Sequence, residues 1–203
     1  AGVFIGGGIY LLKKLLPILD AHFNEIIIID QESIDSSREI ALRYTEKVFP
    51  DVATGYPESS RALAASLSSN EWVFIIDADE IPNIRFLKDA ERLISEDIQC
   101  VICHYGVFHP TEEIADYETI LNYKGETETL RIRIAPRIFR LIKKSNLICN
   151  MELHRGIEMT HNTSCHYLKY HGIFHHKTEA HVKRVKDRYM AVKSNTYDKD
   201  IHI

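Results

Sequence analysis

Apolar positions in the first hundred residues form short unbroken runs separated by stretches of helical spacing. The run Gly2 to Ile5 comes first and ends in Gly6-Gly7-Gly8. Ile9, Leu12, Leu15, Leu16 and Leu19 then recur at helical spacing, with Lys13 and Lys14 left to face water, which predicts a helix. Pro17 lies inside that pattern and is expected to kink or shorten it. Glu25 to Asp30 holds four consecutive isoleucines, as a strand buried on both faces does. Asp35-Ser36-Ser37 offers capping oxygens for a helix through about Tyr44. Lys47-Val48-Phe49 before Pro50 reads as a short strand, and Ser59 or Ser60 opens a helix through Leu67. Glu71 to Ile76 is a fourth strand, running into Asp77-Ala78-Asp79-Glu80. Strands and helices alternating in this way predict an α/β fold with a mainly parallel central sheet flanked by helices. Ligands of such sheets bind at the carboxyl ends of the strands. Here those ends carry Gly6 to Gly8, Asp30 and Asp77 to Glu80.

The second half reads differently. Ile98 to Val107 predicts a buried strand, and residues 109–128, rich in Glu and Asp, read as a polar connection or a mobile acidic loop. Arg131 and Arg133 alternate with Ile132 and Ile134 along a further strand. Cys165 to His175 is the last predicted strand, and alternation puts His171 and His175 on one face. Thr178 caps a helix through about Lys193, with Val182, Val185, Tyr189 and Val192 on one side.

The chemistry concentrates at the strand ends. Asp77 and Asp79 place two carboxylates where an apolar strand leaves the sheet. Hard divalent cations take such oxygens and keep positions open for water and phosphate. With Asp30 they point to a cation that neutralises a leaving pyrophosphate; acidic residues that simply end a strand in a surface turn are the alternative. Gly6 to Gly8 would let backbone N–H groups approach an anion. The run has neither P-loop nor dinucleotide spacing, so a plain strand-to-helix turn is the alternative. Cys100-Val101-Ile102-Cys103-His104 has the spacing of a haem-attachment motif. A zinc site from Cys100, Cys103 and Cys149 or Cys165 is a second arrangement, without the usual second C-x-x-C. Buried free thiols are the expected state in a reducing compartment.

Composition narrows the classes. The 203 residues, 45% hydrophobic and 27% charged, can bury a core as one domain or at most two small ones. No apolar run approaches the roughly 20 residues of a membrane-spanning helix. A basic flank and cleavage site are missing from the start, so a cytoplasmic protein without a secretory signal is expected. A net charge of −4 argues against a nucleic-acid binder. That charge is unevenly spread: residues 1–100 carry 17 acidic and 9 basic side chains, and residues 101–203 carry 12 and 16. Of 11 histidines only His22 precedes residue 101. An acidic front gripping a cation and a basic back meeting a polyanion is one reading; an unevenly charged solvated surface is the other.

Asp30-Gln31-Glu32-Ser33-Ile34-Asp35-Ser36-Ser37 resembles the D-x-x-S-x-D-x-T segment of family 2 glycosyltransferases with the GT-A fold. Asn70-Glu71-Trp72 through Asp77-Ala78-Asp79-Glu80 resembles their G-[DE]-W-hydrophobic-D-A-D-E segment, with Asn70 in place of Gly. Arg61 stands where the family has the Arg of an R-N-x-A helix start, followed here by Ala62. Order and spacing agree across residues 25–82. Later, Pro136 to Arg140 resembles an R-L-F-R stretch, and Tyr170 to Lys177 with Arg188-Tyr189 the closing H-x-x…R-Y region. Glu152-Leu153-His154 resembles the edge of a V-H-E segment, with Arg155 where Glu is expected. The compact length and the placement of Asp-Ala-Asp are also similar to glycosyltransferase domains of large algal viruses, which would mean a host cytoplasm.

The resemblance implies one GT-A-type domain over residues 1–203, with a nucleotide-sugar-binding half at 1–97 and an acceptor-side half at 98–203. It implies a nucleotide diphosphate sugar as donor, UDP-linked by preference, and a glycan or glycoprotein as acceptor. Ile5, Gly6, Gly7, Asp30, Arg61, Asp77 and Ala78 would bind the donor, Asp30 at the base or ribose and Asp77 near the ribose and metal-bound water. Asp77, Asp79, His175 and His176 would hold Mn²⁺ or Mg²⁺ at the diphosphate. Inverting transfer needs a carboxylate to take the acceptor proton. Arg155 leaves that role unassigned by resemblance, so Glu152 and then Asp116 are the candidates; retaining transfer needs no such base. A sugar nucleotidyltransferase and a nucleotide-sugar-binding module without turnover are the rival readings.

Overall fold

A computed structural model of the chain describes residues 2–5, 9–52, 57–94, 97–108, 116–121, 127–149 and 157–176. The first elements are β1 (Gly2–Ile5), α1 (Ile9–His22), β2 (Ile27–Asp30) and α2 (Ser37–Ala41). Next come β3 (Val48–Pro50), α3 (Glu58–Leu67) and β4 (Trp72–Asp77). A turn at Ala78-Asp79 leads to β5 (Glu80–Pro82) and α4 (Ile84–Leu93). The remainder is mostly strand: β6 (Cys100–Phe108), β7 (Asp116–Leu121), β8 (Thr127–Lys143), β9 (Leu147–Cys149), β10 (Ile157–Met159) and β11 (Cys165–His176).

Among the described residues one nine-stranded sheet runs in the order β3-β2-β1-β4-β8-β6-β11-β5, with β7 paired to β8. The expectation of a mainly parallel sheet needs correcting. β3, β2, β1 and β4 are parallel, but β8 lies antiparallel to β4, β6 and β7, and β5 antiparallel to β11. The sheet is mixed because helical crossovers stop after α4. The chain then returns through the long β7–β8 pairing, which short connections allow only between antiparallel strands. β7 and the start of β8 also fall inside the stretch expected to be a polar connection. Its Tyr117, Thr119 and Ile120 favour strands, and the surrounding carboxylates mask that signal in a count of polar residues. The helix expected at 178–193 lies outside the described residues.

The four isoleucines behave as their pattern predicts. Ile26 and Ile28 pack among Leu12, Leu15, Leu16 and Leu19 of α1, while Ile27 and Ile29 face Ala64 of α3. β4 divides the same way, with Phe74 and Ile76 on the α1 and α4 side and Val73 and Ile75 on the other. Pro17 does not end α1, which continues to His22. A proline inside a helix costs about 3 kcal/mol, but each buried Leu or Ile returns about 1.5–3 kcal/mol. Leu15, Leu16, Ile18 and Leu19 around it are all at most 4% exposed, so burial wins. α2 is shorter than expected, stopping at Ala41. No described helix is long and apolar enough to cross a membrane.

Two local contacts lock this arrangement. Just before β2, Glu25 accepts hydrogen bonds from Ser69 N (3.0 Å), Ser69 Oγ (2.9 Å) and Asn70 Nδ2 (2.8 Å), and pairs with Lys47. It thereby ties the entrance of β2 to the entrance of β4. On the other side of the sheet, a Cβ at Gly172 would lie 2.6 Å from Cys103 Sγ and 2.7 Å from Phe86 Cδ2. Only a glycine lets β11 approach β6 and α4 so closely.

Burial works against ionisation of Glu25, but Lys47 and the hydrogen bonds from Ser69 and Asn70 hold its pKa down to about 2. Its contribution is fully present above the ordinary value of 4.5 and is lost as pH falls toward 2. Glu25→Ala should lower stability by about 2 kcal/mol at neutral pH. In urea unfolding the gap from the native chain should close as the pH drops through that window. Gly172→Ala should cost about 1–3 kcal/mol by the same measurement, with the slope against urea unchanged.

Candidate functional site

Parallel pairing brings the ends of four strands to one edge. Ile5 is the register partner of Asp30, Phe4 that of Asp77, and Asp30 that of Pro50. Backbone thus places Ile5, Asp30 and Asp77 side by side at the carboxyl ends, where the α/β pattern locates ligands. Gly6 and Gly7 follow β1 but lie outside the described residues.

Asp30 organises its own exit loop. Its Oδ1 accepts from Ser33 N at 3.1 Å, and its Oδ2 lies 3.4 Å from Arg38 Nη1. Between them Glu32 takes φ 52°, a left-handed conformation that costs a non-glycine residue free energy and that functional sites often retain. Beside it, Gln31 Nε2 donates to Ser60 Oγ (2.8 Å), which donates to Asp51 Oδ2 (2.6 Å). A polar wall therefore joins the ends of β2 and β3 to the start of α3.

Asp77 closes the next strand and is enclosed by cations. Arg61 Nε donates to its Oδ1 at 3.0 Å while Arg61 Nη2 binds its Oδ2, and Arg140 Nη2 stands 3.8 Å away. Burial raises the pKa of Asp77, but Arg61 and Arg140 outweigh it and hold the carboxyl below the usual carboxylate range. Burial lowers the pKa of Arg61 in turn, and Asp77 more than restores it. Glu80, fully buried, accepts from Arg140 Nη2 (2.7 Å) and Tyr105 Oη (2.7 Å) on one oxygen and from Asp77 N (2.9 Å) on the other. Burial pushes the Glu80 pKa up against the pull of Arg140. Burial and the neighbouring Glu80 also push the Tyr105 phenol up, so it stays a donor.

Asp79 sits in the turn after β4, two residues beyond Asp77, with the buried Ala78 between them. Its Oδ2 meets His175 Nε2 at 2.9 Å. Backbone pairing of β5 with β11, in which Glu80 is the register partner of His175, fixes that contact. Asn83 secures the same junction: its N donates to Gly172 O (2.8 Å), its Nδ2 donates to His171 O (3.0 Å), and its Oδ1 caps α4 at Arg85 N (3.0 Å).

The structure thus brings Asp30, Arg61, Asp77, Ala78, Asp79 and His175 to one edge. His176 ends β11 and Asp116 opens β7, both with side chains outside the described residues, as Glu152 is entirely. His171 does not join His175. Register shifts in β11 on both sides of His171 break the simple alternation, so His171 packs near His104 and His175 near Tyr105. Arg140, Glu80, Tyr105 and Arg38 complete the site and had no assigned role in the sequence. Arg140 and Tyr105 lie 63 and 28 residues from Asp77 along the chain, and only strand pairing joins them. Glu80 was legible as part of Asp-Ala-Asp-Glu, but its burial was not.

Among the described residues no three His, Cys, Asp or Glu side chains form a ready-made metal cage. Asp79 and His175 together offer one carboxylate oxygen and one imidazole nitrogen, a donor set suited to a first-row transition ion that shares its remaining positions with a ligand. A cavity of about 400 Å³ lies elsewhere, at the amino ends of β2 and β4 beside Phe23, Trp72 and Leu87. None of the charged residues of this edge lines it.

The family model for glycosyl transferase family 2 matches residues 11–149. No curated protein matches the chain. Three crystal structures of S. aureus TarS are similar. TarS 1-349 aligns with a TM-score of 0.55 and 14% identity over 86% of this chain and 60% of that one. A further TarS structure gives 0.56 and 15% over 91% and 38%. TarS 1-349 in complex with UDP gives 0.55 and 12% over 94% and 64%. The chain therefore spans less than two thirds of each, and at these identities the likeness is one of fold. That fold is α/β of the GT-A type.

Among the described residues Arg140 is the cation hydrogen-bonded to Glu80, so Arg140→Met should leave a buried carboxylate poorly compensated and cost about 3–5 kcal/mol. Because the folded Glu80 pKa lies above its ordinary value, lowering the pH neutralises that carboxylate first in the fold. The defect should be largest near neutral pH and shrink in acid, and Glu80→Gln in the same chain should recover part of it. Chemical denaturation of the native chain and the two variants from pH 4 to pH 8 measures this.

Proposed function

We propose that this chain, which belongs to glycosyl transferase family 2, transfers a sugar from a nucleotide diphosphate donor, UDP-linked by preference, to the hydroxyl of a glycan or glycoprotein acceptor. The observation that carries the reading is the pairing of Asp79 with His175 beside an acid–arginine cluster, at the carboxyl ends of parallel strands.

The donor set fits a divalent cation, Mn²⁺ ahead of Mg²⁺ because one donor is imidazole. Asp79 and His175 are the direct ligands of choice, with His176 as an additional candidate; both oxygens of Asp77 already accept from Arg61. When bound, the ion supplies positive charge to offset the charge that develops on the departing diphosphate. Everything else falls to side chains. Asp30, held by Ser33 and Arg38, faces the nucleoside, with the Gln31–Ser60–Asp51 chain beside it. Arg61 fixes Asp77 in a single orientation toward the ribose, and Ile5, Gly6, Gly7 and Ala78 give the donor close backbone. If the transfer inverts, Glu152 or Asp116 takes the acceptor proton. Arg140 has a further donor, Nε, that is buried and finds no acceptor among the described residues, which suits a site built to receive an anion.

Mn²⁺ and a UDP-sugar together should raise the melting temperature, and slow donor hydrolysis should follow. Asp79→Ala should weaken Mn²⁺ by about 100-fold or more while leaving the fold intact, since losing even a ligand's supporting partner costs 10- to 100-fold. A full panel of nucleotide sugars without any metal-dependent shift would sink the proposal. Binding without hydrolysis or transfer would identify a nucleotide-sugar-binding module instead.

A further inference from the structure

Cys100 and Cys165 open β6 and β11 and are direct register partners on these adjacent parallel strands. Parallel neighbours lie about 4.8 Å apart, inside the window of about 4.4–6.8 Å that a disulfide spans between Cα atoms. Register partners share a face of the sheet, and Cys100 and Cys165 are such partners. The backbone around them is already fixed. Ser164 O accepts from Gln99 N (2.8 Å) and Cys100 N (3.1 Å), and Gln99 Oε1 accepts from Ser164 N (2.9 Å). A covalent bond between the sulfurs would therefore draw on an arrangement that exists before oxidation.

The two thiols differ in access. Cys165 is exposed, with its Sγ 3.6 Å from Met159 Sδ, whereas Cys100 has no exposed surface. Cys103 is excluded because its sulfur lies under Gly172 on the opposite face. Cys149 packs against the cluster that contains Cys100, but its register partner is Ile157, not a cysteine.

We propose that Cys100 and Cys165 are a peroxide-responsive pair that closes into a reversible cross-strand disulfide. In the first step the Cys165 sulfur attacks a hydroperoxide. The O–O bond breaks, one oxygen remains on sulfur as a sulfenic acid, and the other leaves as water or an alcohol. In the second step the Cys100 sulfur attacks the Cys165 sulfur, the S–O bond breaks, and the hydroxyl leaves with the Cys100 proton as water. Two thiols lose two electrons and two protons, and the peroxide takes up both. Burial pushes the Cys100 thiol up, which leaves the first encounter with peroxide to the exposed Cys165. The bond would pin the starts of β6 and β11, strands that carry Tyr105 and His175 further along. It would enclose a long loop, from residue 100 to residue 165, which favours stabilisation.

Treating the purified chain with hydrogen peroxide should lower its intact mass by about 2 Da and the thiols titrated after denaturation from 4 to 2. Peptide mapping should recover a Cys100–Cys165 link, and the melting temperature should rise by about 5–10 °C. Dithiothreitol should reverse all of these. Cys165→Ser, a change at an exposed site, should abolish the mass loss and the shift, while Cys149→Ser should retain both. A map that joins Cys165 to Cys149, oxidation that stops at a Cys165 sulfinic acid, or a Cys165-linked dimer would each overturn the proposal.

Discussion

A carboxyl group with no exposed surface must find donors inside the fold, and Glu80 shows what that demands of this one. Its three donors come from β8 (Arg140), β6 (Tyr105) and the backbone of β4 (Asp77). Glu80 itself belongs to β5, which pairs with β11. Five strands must therefore be in register before this single group is satisfied. Arg140 reaches on toward Asp77, and Arg61 of α3 completes that pair. The parallel and antiparallel parts of the sheet thus meet at a network of two guanidiniums and two carboxyl groups, Arg61 and Arg140 with Asp77 and Glu80. Breaking one member strands another in a medium where an unpaired charge costs several kcal/mol.

The antiparallel pairing of β8 with β4 decides which residues of β8 come near the end of β4. Because β8 runs antiparallel to β4, with Phe74 opposite Leu141, a residue deep in β8 comes level with Asp77. The antiparallel strand thereby supplies a cation to a site whose carboxylates sit on parallel strand ends.

How much of this was legible in the sequence depended on the range of the interaction. The isoleucine run, the strand before Asp77 and the leucines of α1 declare themselves through local period, and the structure agrees with each. Pro17 misleads because a local rule gives its cost while the compensation comes from burial against β2, which lies further along the chain. The β7 strand was hidden for a related reason, since its charged residues read as a loop until β8 is there to pair with. Asp30, Asp77, Asp79 and His175 were visible as chemistry at strand ends or on a late strand. Arg140, Glu80 and Tyr105 were visible only as residue types, because what makes them part of the site is pairing across dozens of residues. His171 shows the converse error: alternation joined it to His175, and register shifts that no periodicity announces separated them.

The two aspartates of Asp77-Ala78-Asp79 do different work, and their spacing accounts for it. Asp77 is the last residue of β4 and still obeys the strand's alternation, so its side chain meets α3 and β8 and its charge is spent on Arg61 and Arg140. Asp79 has entered the turn, where the pairing of β5 with β11 brings His175 to it instead. Two residues beyond Asp77, Asp79 thus meets an imidazole where Asp77 meets two guanidiniums. The acidic excess of the first hundred residues is thus a poor measure of what a ligand meets at this edge. Asp77 spends its charge on Arg61 and Arg140, and at the turn Asp79 faces His175.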